Sequence, residues 1–69
     1  MQTGSPQVDN FYTSFKKRLN NADFICSSNP IEGIKLAEEL YQEAKELGKI
    51  ILQAEVLCTI GFGYYVLKD

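Results

Sequence analysis

The stretch "NPIEGIKLAEELYQEAKELG", residues 29–48, contains both ends of one helix and the apolar stripe between them. Asn29 at the N-cap, Pro30 at the first helical position and Glu32 two residues later form a variant of the capping box. Gly48 suits the left-handed conformation that ends many helices. The sequence therefore predicts a helix that begins at Pro30 and ends just before Gly48.

One side of this helix is apolar and the other is charged. Apolar residues recur at steps of three and four, the period of a single helix face. They are Ile34, Ala37, Tyr41, Ala44 and Leu47, with Leu36 and Leu40 beside them. We interpret Glu39 and Glu43 on the other side as solvated charges, because no neighbouring apolar pocket would raise the pKa of a catalytic carboxylate.

Upstream, a second apolar stripe predicts a helix from Val8 into the segment "SSNP". Pro30 disfavours the helical conformation at the residue before it, so this helix has to end there. The stripe consists of Val8, Phe11, Phe15, Leu19 and Ala22. Residues 1–7 are expected to be a disordered tail or an expression remnant, and residues 8–69 one helical domain that is a fragment of a longer protein. The basic run Lys16 to Arg18 is interpreted as a solvated face.

A third helix is predicted from about Lys49 to Lys68. Thirteen of the eighteen residues from Ile50 to Leu67 are apolar, so this helix has to be covered on more than one side. We expect the second helix to cover one stripe: Ile50, Ala54, Leu57, Gly61 and Tyr64. The first helix should cover part of a second stripe, which contains Val56 and Ile60. That leaves an open strip as the predicted partner interface: Cys58, Phe62, Tyr65 and Val66.

Two glycines interrupt this helix, and each costs about 1 kcal/mol of helix propensity relative to alanine. The segment "AEVLCTIGFGYYVLKD" has the spacing of the first helix of a tetratricopeptide repeat, which carries a large residue, then Leu-Gly, then Tyr. Leu57 takes the position of the large residue. Ile60 and Gly61 take the positions of Leu-Gly, and Tyr64 takes that of the tyrosine. The preceding helix matches the small, aromatic, small pattern of the previous repeat's second helix through Ala37, Tyr41 and Ala44. Residues 29–69 therefore resemble tetratricopeptide repeats, of the longer type found in bacterial signalling proteins.

The resemblance implies an all-α fold of three helices, about one and a half repeats. It gives seven residues a role in helix packing: Ala37, Tyr41, Ala44, Leu57, Ile60, Gly61 and Tyr64. It also explains Gly61 as a point of close helix approach, whereas Gly63 has no counterpart in the repeat. Such arrays often precede diguanylate cyclase, nucleotide cyclase or histidine kinase domains, which implies an N-terminal sensory or assembly segment.

The small size of the chain predicts help from a partner. A chain of 69 residues buries only about 60 % of its unfolded surface, and a solenoid ordinarily needs about three repeats. We therefore expect a protein-interaction module that forms a homodimer through its third helix. Two alternatives remain open, namely a repeat fragment that binds a peptide and a redox switch that uses Cys26 and Cys58.

Composition argues against other classes of function. A net charge of -2 disfavours nucleic acid and anionic membranes as ligands. The chain has no histidine, so zinc binding, Cys-His nucleophilic catalysis and imidazole chemistry are not expected. We expect no enzyme activity, no cofactor and no metal. The apolar run from Val56 to Leu67 is too short to span a bilayer and no export signal opens the chain, so a cytoplasmic protein is expected.

Overall fold

The computed structural model describes residues 6–68, with side chains described from Phe11 onwards. Three helices, α1 (Pro6–Ser28), α2 (Pro30–Glu46) and α3 (Ile50–Lys68), each pack against the other two. The predicted all-α, three-helix fold is confirmed for these residues. Of the predicted tail, residues 1–5 lie outside the described part. Pro6 and Gln7 already belong to α1, so the predicted boundary is two residues late.

A single residue, Asn29, joins α1 to α2. Its N–H donates to the carbonyl of Ile25 at 2.6 Å, and its side-chain oxygen accepts from the N–H of Glu32 at 3.3 Å. The predicted cap and the start of α2 at Pro30 are therefore confirmed. Because the Asn29 N–H belongs to the last turn of α1, it is not free for the reciprocal bond of a full capping box.

Asn29→Ala is expected to destabilise the protein by about 1 kcal/mol, since the first turn of α2 loses its acceptor. In a domain of this size that corresponds to a fall of about 4–8 °C in the thermal midpoint. Asn20→Ala, at an exposed position within α1, is the matched control. A midpoint that falls equally in both variants would contradict the capping role.

The connection from α2 to α3 is a Schellman motif centred on Gly48. Gly48 has a φ of 69° and donates its N–H to the carbonyl of Lys45 at 3.1 Å. The N–H of Lys49 donates to the carbonyl of Ala44 at 2.9 Å. These two bonds satisfy carbonyls that the end of α2 leaves free. The predicted left-handed glycine at this helix end is confirmed.

The core lies where the three helices meet. The described residues of the predicted stripes of α1 and α2 face it, except Leu47, which is 51 % exposed. The side chain of Val8 lies outside the described part. α3 contributes fewer buried apolar residues than either of the other helices. The buried apolar side chains are Phe15, Leu19, Ala22, Cys26, Ile34, Ala37, Leu40, Ala44, Leu52 and Val56. Phe11, Leu36, Tyr41 and Ile60 are partly buried and pack against this cluster.

Two glycines allow the helices to approach closely, and Gly61 is not one of them. A methyl group on Gly33 would lie 2.6 Å from the backbone nitrogen of Cys26. One on Gly63 would lie 2.6 Å from Cγ1 of Ile34 and 3.0 Å from Sγ of Cys26. One on Gly61 would have no neighbour within 4 Å, so the predicted role of Gly61 in close packing within the chain is wrong.

Among the side chains described from Phe11 onwards, two ion pairs connect α1 to the other helices. Lys16 pairs with Glu55 of α3, and Nη1 of Arg18 donates to Oε2 of Glu43 at 3.2 Å. The hydrogen bond to Glu55 raises the pKa of Lys16. Both pairs are partly exposed and therefore contribute little stability. Within the predicted basic face, Lys17 is exposed.

Candidate protein-interaction surface

α3 packs on the bundle through one narrow stripe, which differs from the one predicted. The buried residues are Leu52, Val56, Thr59 and Gly63. The stripe that we expected α2 to cover is exposed instead, with Ile50 at 75 %, Leu57 at 52 % and Tyr64 at 52 %. Gly63 is buried because only a residue without a side chain fits against Ile34 and Cys26 there. This contact fixes the rotation of α3 and turns Leu57, Gly61 and Tyr64 outwards, whereas Ile60 packs against the core.

The side of α3 opposite the buried stripe is apolar over most of the helix. At 100° per residue, seven apolar or small residues that lie there share one arc, which we call the outer face: Ile50, Ile51, Ala54, Leu57, Cys58, Gly61 and Tyr65. Lys68, the last residue of α3, lies at the C-terminal end of the same arc. All seven are exposed, and Ile51 and Tyr65 are exposed by 74 % and 66 %. Tyr64 and Phe62 border the outer face on its two sides. No described part of the chain covers it.

The predicted partner interface overlaps the outer face only in part. Cys58 and Tyr65 lie within it, Phe62 lies at its edge with 38 % exposure, and half-buried Val66 lies nearer the bundle. The sequence interpretation missed the first half of the outer face, from Ile50 to Leu57. No periodic signal marks this half, because α3 is apolar on every side.

The outer face is large for so small a protein. The nineteen residues of α3 extend over about 28 Å. Given the exposures above, we estimate about 500 Å² of accessible apolar surface, which is the size of a patch that commonly marks an interaction site. An exposed patch of this kind on a domain with a marginal core favours a partner that removes it from water.

α3 is also long and apolar enough to cross a membrane, by length and composition alone. The predicted apolar run was too short for a span because it began at Val56, whereas the helix begins at Ile50. A core helix of a soluble protein passes the same test. In this bundle, α3 buries Val56 against the other helices, so some of its apolar residues form part of the core. It also places Glu55 beside Lys16.

The two cysteines are free and occupy opposite sides of α3. Cys26 is buried near Gly63, with its sulfur 3.9 Å from the carbonyl of Thr59. Burial, and secondarily the charge of Asp23, raises the pKa of the Cys26 thiol. Cys58 lies exposed on the outer face. A disulfide between them, one form of the proposed redox switch, would have to join a buried thiol to an exposed one.

We expect Ellman's reagent to modify one thiol per chain in the dilute native protein, and this thiol to be Cys58. The thiolate is the reactive form, so burial and the raised pKa both protect Cys26. Denaturant should release the second thiol. The check is the count of thiols that react before and after denaturation in the parent and in Cys58→Ser. Rapid reaction of the native Cys58→Ser variant would contradict the assignment.

Two clefts differ in their chemistry, and the first of them includes the start of the outer face. One, of about 610 Å³, lies between the first described side chains of α1 and the start of α3, and the apolar residues that line it include Phe11, Ile50 and Ile51. The other, of about 280 Å³, carries Arg18 and its carboxylate partner Glu43. Among residues 6–68, no three His, Cys, Asp or Glu side chains are grouped so that they could hold a metal ion.

The outer face is thus an exposed apolar surface along α3 that no described residue covers. Its chemistry is that of a hydrophobic contact that carries the thiol of Cys58, with the charge of Lys68 at the C-terminal end of the same arc. Comparison with family models, curated proteins and solved structures finds no match for this chain.

Proposed function

We propose that this chain is a non-catalytic helical module that self-associates through the outer face of α3. The observation that carries the proposal is the exposure of that face along the whole length of an otherwise packed helix. A second copy offers the same apolar surface, and burial of equivalent patches about a two-fold axis is the commonest way in which proteins form dimers.

The energetics support a reversible dimer. Burial of the outer face on both copies removes about 1,000 Å² in total, which is at the lower limit for a specific interface. At about 25 cal/mol per Å², the gross gain is about 25 kcal/mol. Lost translational and rotational freedom and the ordering of side chains offset most of it, leaving about 8 kcal/mol for a micromolar complex.

The free space around Gly61 supports the same proposal. A glycine within a helix costs about 1 kcal/mol relative to alanine, and within the chain no neighbouring group uses the space it leaves. A helix from a second copy would use that space, because close backbone approach is what a bare glycine allows. Ala54 and Cys58 are also small and lie on the same face.

The wider setting that we propose rests on the tetratricopeptide-like motif. In this interpretation, the module is a cytoplasmic segment that brings together subunits of a bacterial signalling protein such as a diguanylate cyclase. Ala37 and Ala44 are buried at a helix contact, in keeping with the motif. Leu57, Gly61 and Tyr64 would then pack against a helix from outside this unit. A bound peptide helix is the alternative occupant of the same surface.

A lipid bilayer is the competing partner of another class, and the structure favours it less. Insertion of α3 as a span would remove Val56 from the core and separate Glu55 from Lys16. Binding of the intact bundle to an anionic membrane surface would lack a basic border, because the chain has a net charge of -2. A second protein copy has neither disadvantage.

Light scattering over a range of concentrations tests the proposal. We expect the molar mass to rise from the monomer value of 7.8 kDa towards that of a dimer at micromolar concentrations. The second arm is flotation of the protein with vesicles of phosphatidylcholine, with and without phosphatidylglycerol. We expect no protein to float with either type. A monomer at every concentration that floats with vesicles would replace the dimer with the membrane interpretation.

A further inference from the structure

We infer that two copies of α3 pair in antiparallel orientation, with the two-fold axis between Leu57 and Cys58. This inference rests on the proposed self-association and adds its geometry, namely the direction of the helices and the residues that meet. Three features of the outer face lead to it: the symmetric order of its residues, the match of their sizes, and the charges at the two ends of α3.

The outer face and its border have the same spacing when followed from either end. Four pairs lie at equal distances on either side of the point between Leu57 and Cys58: Ile50 with Tyr65, Ile51 with Tyr64, Ala54 with Gly61, and Leu57 with Cys58. In an antiparallel pair about that point, each residue faces its counterpart in the other chain. Every position of the outer face therefore finds a partner, and no apolar end is left uncovered.

The sizes of the facing residues match in three of the four pairs, the exception being Leu57 with Cys58 beside the axis. Large side chains meet at the two ends, where Ile50 faces the partner's Tyr65. Small residues meet nearer the axis, where Ala54 faces the partner's Gly61. These two small contacts are seven residues apart along α3, or about 10 Å, one on each side of the axis. Small residues there let the helix axes approach to about 8 Å, the short end of the usual range.

Charge at the helix ends favours the antiparallel direction. The N-terminal end of a helix carries partial positive charge and its C-terminal end partial negative charge. Antiparallel pairing places each end of α3 beside the oppositely charged end of the partner's helix, whereas a parallel pair would place like partial charges side by side. The lysines do not distinguish the two directions, because Lys49 lies near the partner's Lys68 in the antiparallel pair and near the partner's Lys49 in the parallel one. Glu55 and Gln53 lie outside the contact, and Glu55 is already paired with Lys16.

Gly61→Ala separates the effect of this glycine on the stability of the monomer from its effect on association. In the dilute monomer the added methyl group meets no atom within 4 Å, so the gain in helix propensity should raise the thermal midpoint by about 4–8 °C. In the dimer the same methyl group meets the partner's Ala54 twice and should weaken association at least about ten-fold. An unchanged dimer affinity would contradict close approach at Gly61.

Site-directed cross-linking tests the direction of the helices. Lys49→Cys and Lys68→Cys are prepared separately in a Cys58→Ser background, so that every apolar residue of the outer face except Cys58 is retained. The two positions are nineteen residues apart, about 28 Å along one helix. Each variant alone and an equimolar mixture are treated with a short bismaleimide at a concentration at which light scattering shows a dimer.

Antiparallel pairing predicts cross-linked dimers in the mixture and at most traces in the two single samples. Cross-linking of each variant alone, with none added by mixing, would overturn the antiparallel geometry and leave the dimer in place. A dimer by mass that gives no cross-link in any sample would likewise overturn the inferred geometry. A monomeric mass for the parent chain at every concentration would instead overturn the proposed function on which the inference rests.

Discussion

Gly33→Ala is expected to destabilise the bundle by about 3 kcal/mol, a large share of the stability of so small a domain. The added methyl group would lie 2.6 Å from the nitrogen and 2.7 Å from the Cα of Cys26. These are backbone atoms of the facing helix, so no rotamer change can move them away. α1 and α2 would have to separate close to Asn29, the single residue that joins them.

Urea unfolding measures this effect, and Gly61→Ala is the matched control. Both changes add one methyl group to a helical glycine, and the gain in helix propensity is about 1 kcal/mol in each case. The midpoint should fall steeply for Gly33→Ala and rise for Gly61→Ala in dilute solution. A loss below about 1 kcal/mol for Gly33→Ala would show that the helices are less closely packed than the structure places them.

Leu57→Asp is expected to raise the dissociation constant of the dimer at least about 100-fold. Leu57 lies beside the inferred axis, so the change buries a carboxylate twice in one interface, close to its own copy. The monomer should keep its helical content and stability, since Leu57 is already 52 % exposed within the chain. The measurement is sedimentation velocity, combined with circular dichroism of the same samples.

Phe24→Asp provides the control for a charge placed at an exposed apolar position. Phe24 is 73 % exposed and lies on α1, away from the outer face. Its replacement should leave the dissociation constant unchanged within about three-fold. Equal weakening by both variants would mean that added charge, and not its position on α3, disrupts association.

The parts of the fold that follow from local chemistry could be predicted from the sequence. Asn29 and Pro30 define the start of α2, and Gly48 defines its end, through hydrogen bonds that involve only near neighbours in the chain. The inward faces of α1 and α2 were also predictable, since both helices have a polar side. Phe15 and Ala37 are buried where the periodicity places them.

The orientation of α3 could not be predicted in this way. Its apolar residues point in every direction, so the period does not indicate which stripe packs inwards. Which stripe of α3 packs inwards depends on the fit of Gly63 against Ile34 and Cys26, a contact between distant parts of the chain. The close approach at Gly33 was missed for a related reason. Its only local signal is a glycine in the first turn of a helix that follows a one-residue connection.

Isotope-filtered NMR on a mixture of labelled and unlabelled chains tests most directly whether the outer face of α3 binds a second copy. Such spectra report contacts between chains alone. We predict intermolecular contacts from the methyl groups of Ile50 and Leu57 to the outer face of the other chain, including its Tyr65 ring. Intermolecular contacts confined to α1 and α2, or none at millimolar concentration, would contradict the proposal that the outer face is the site of self-association.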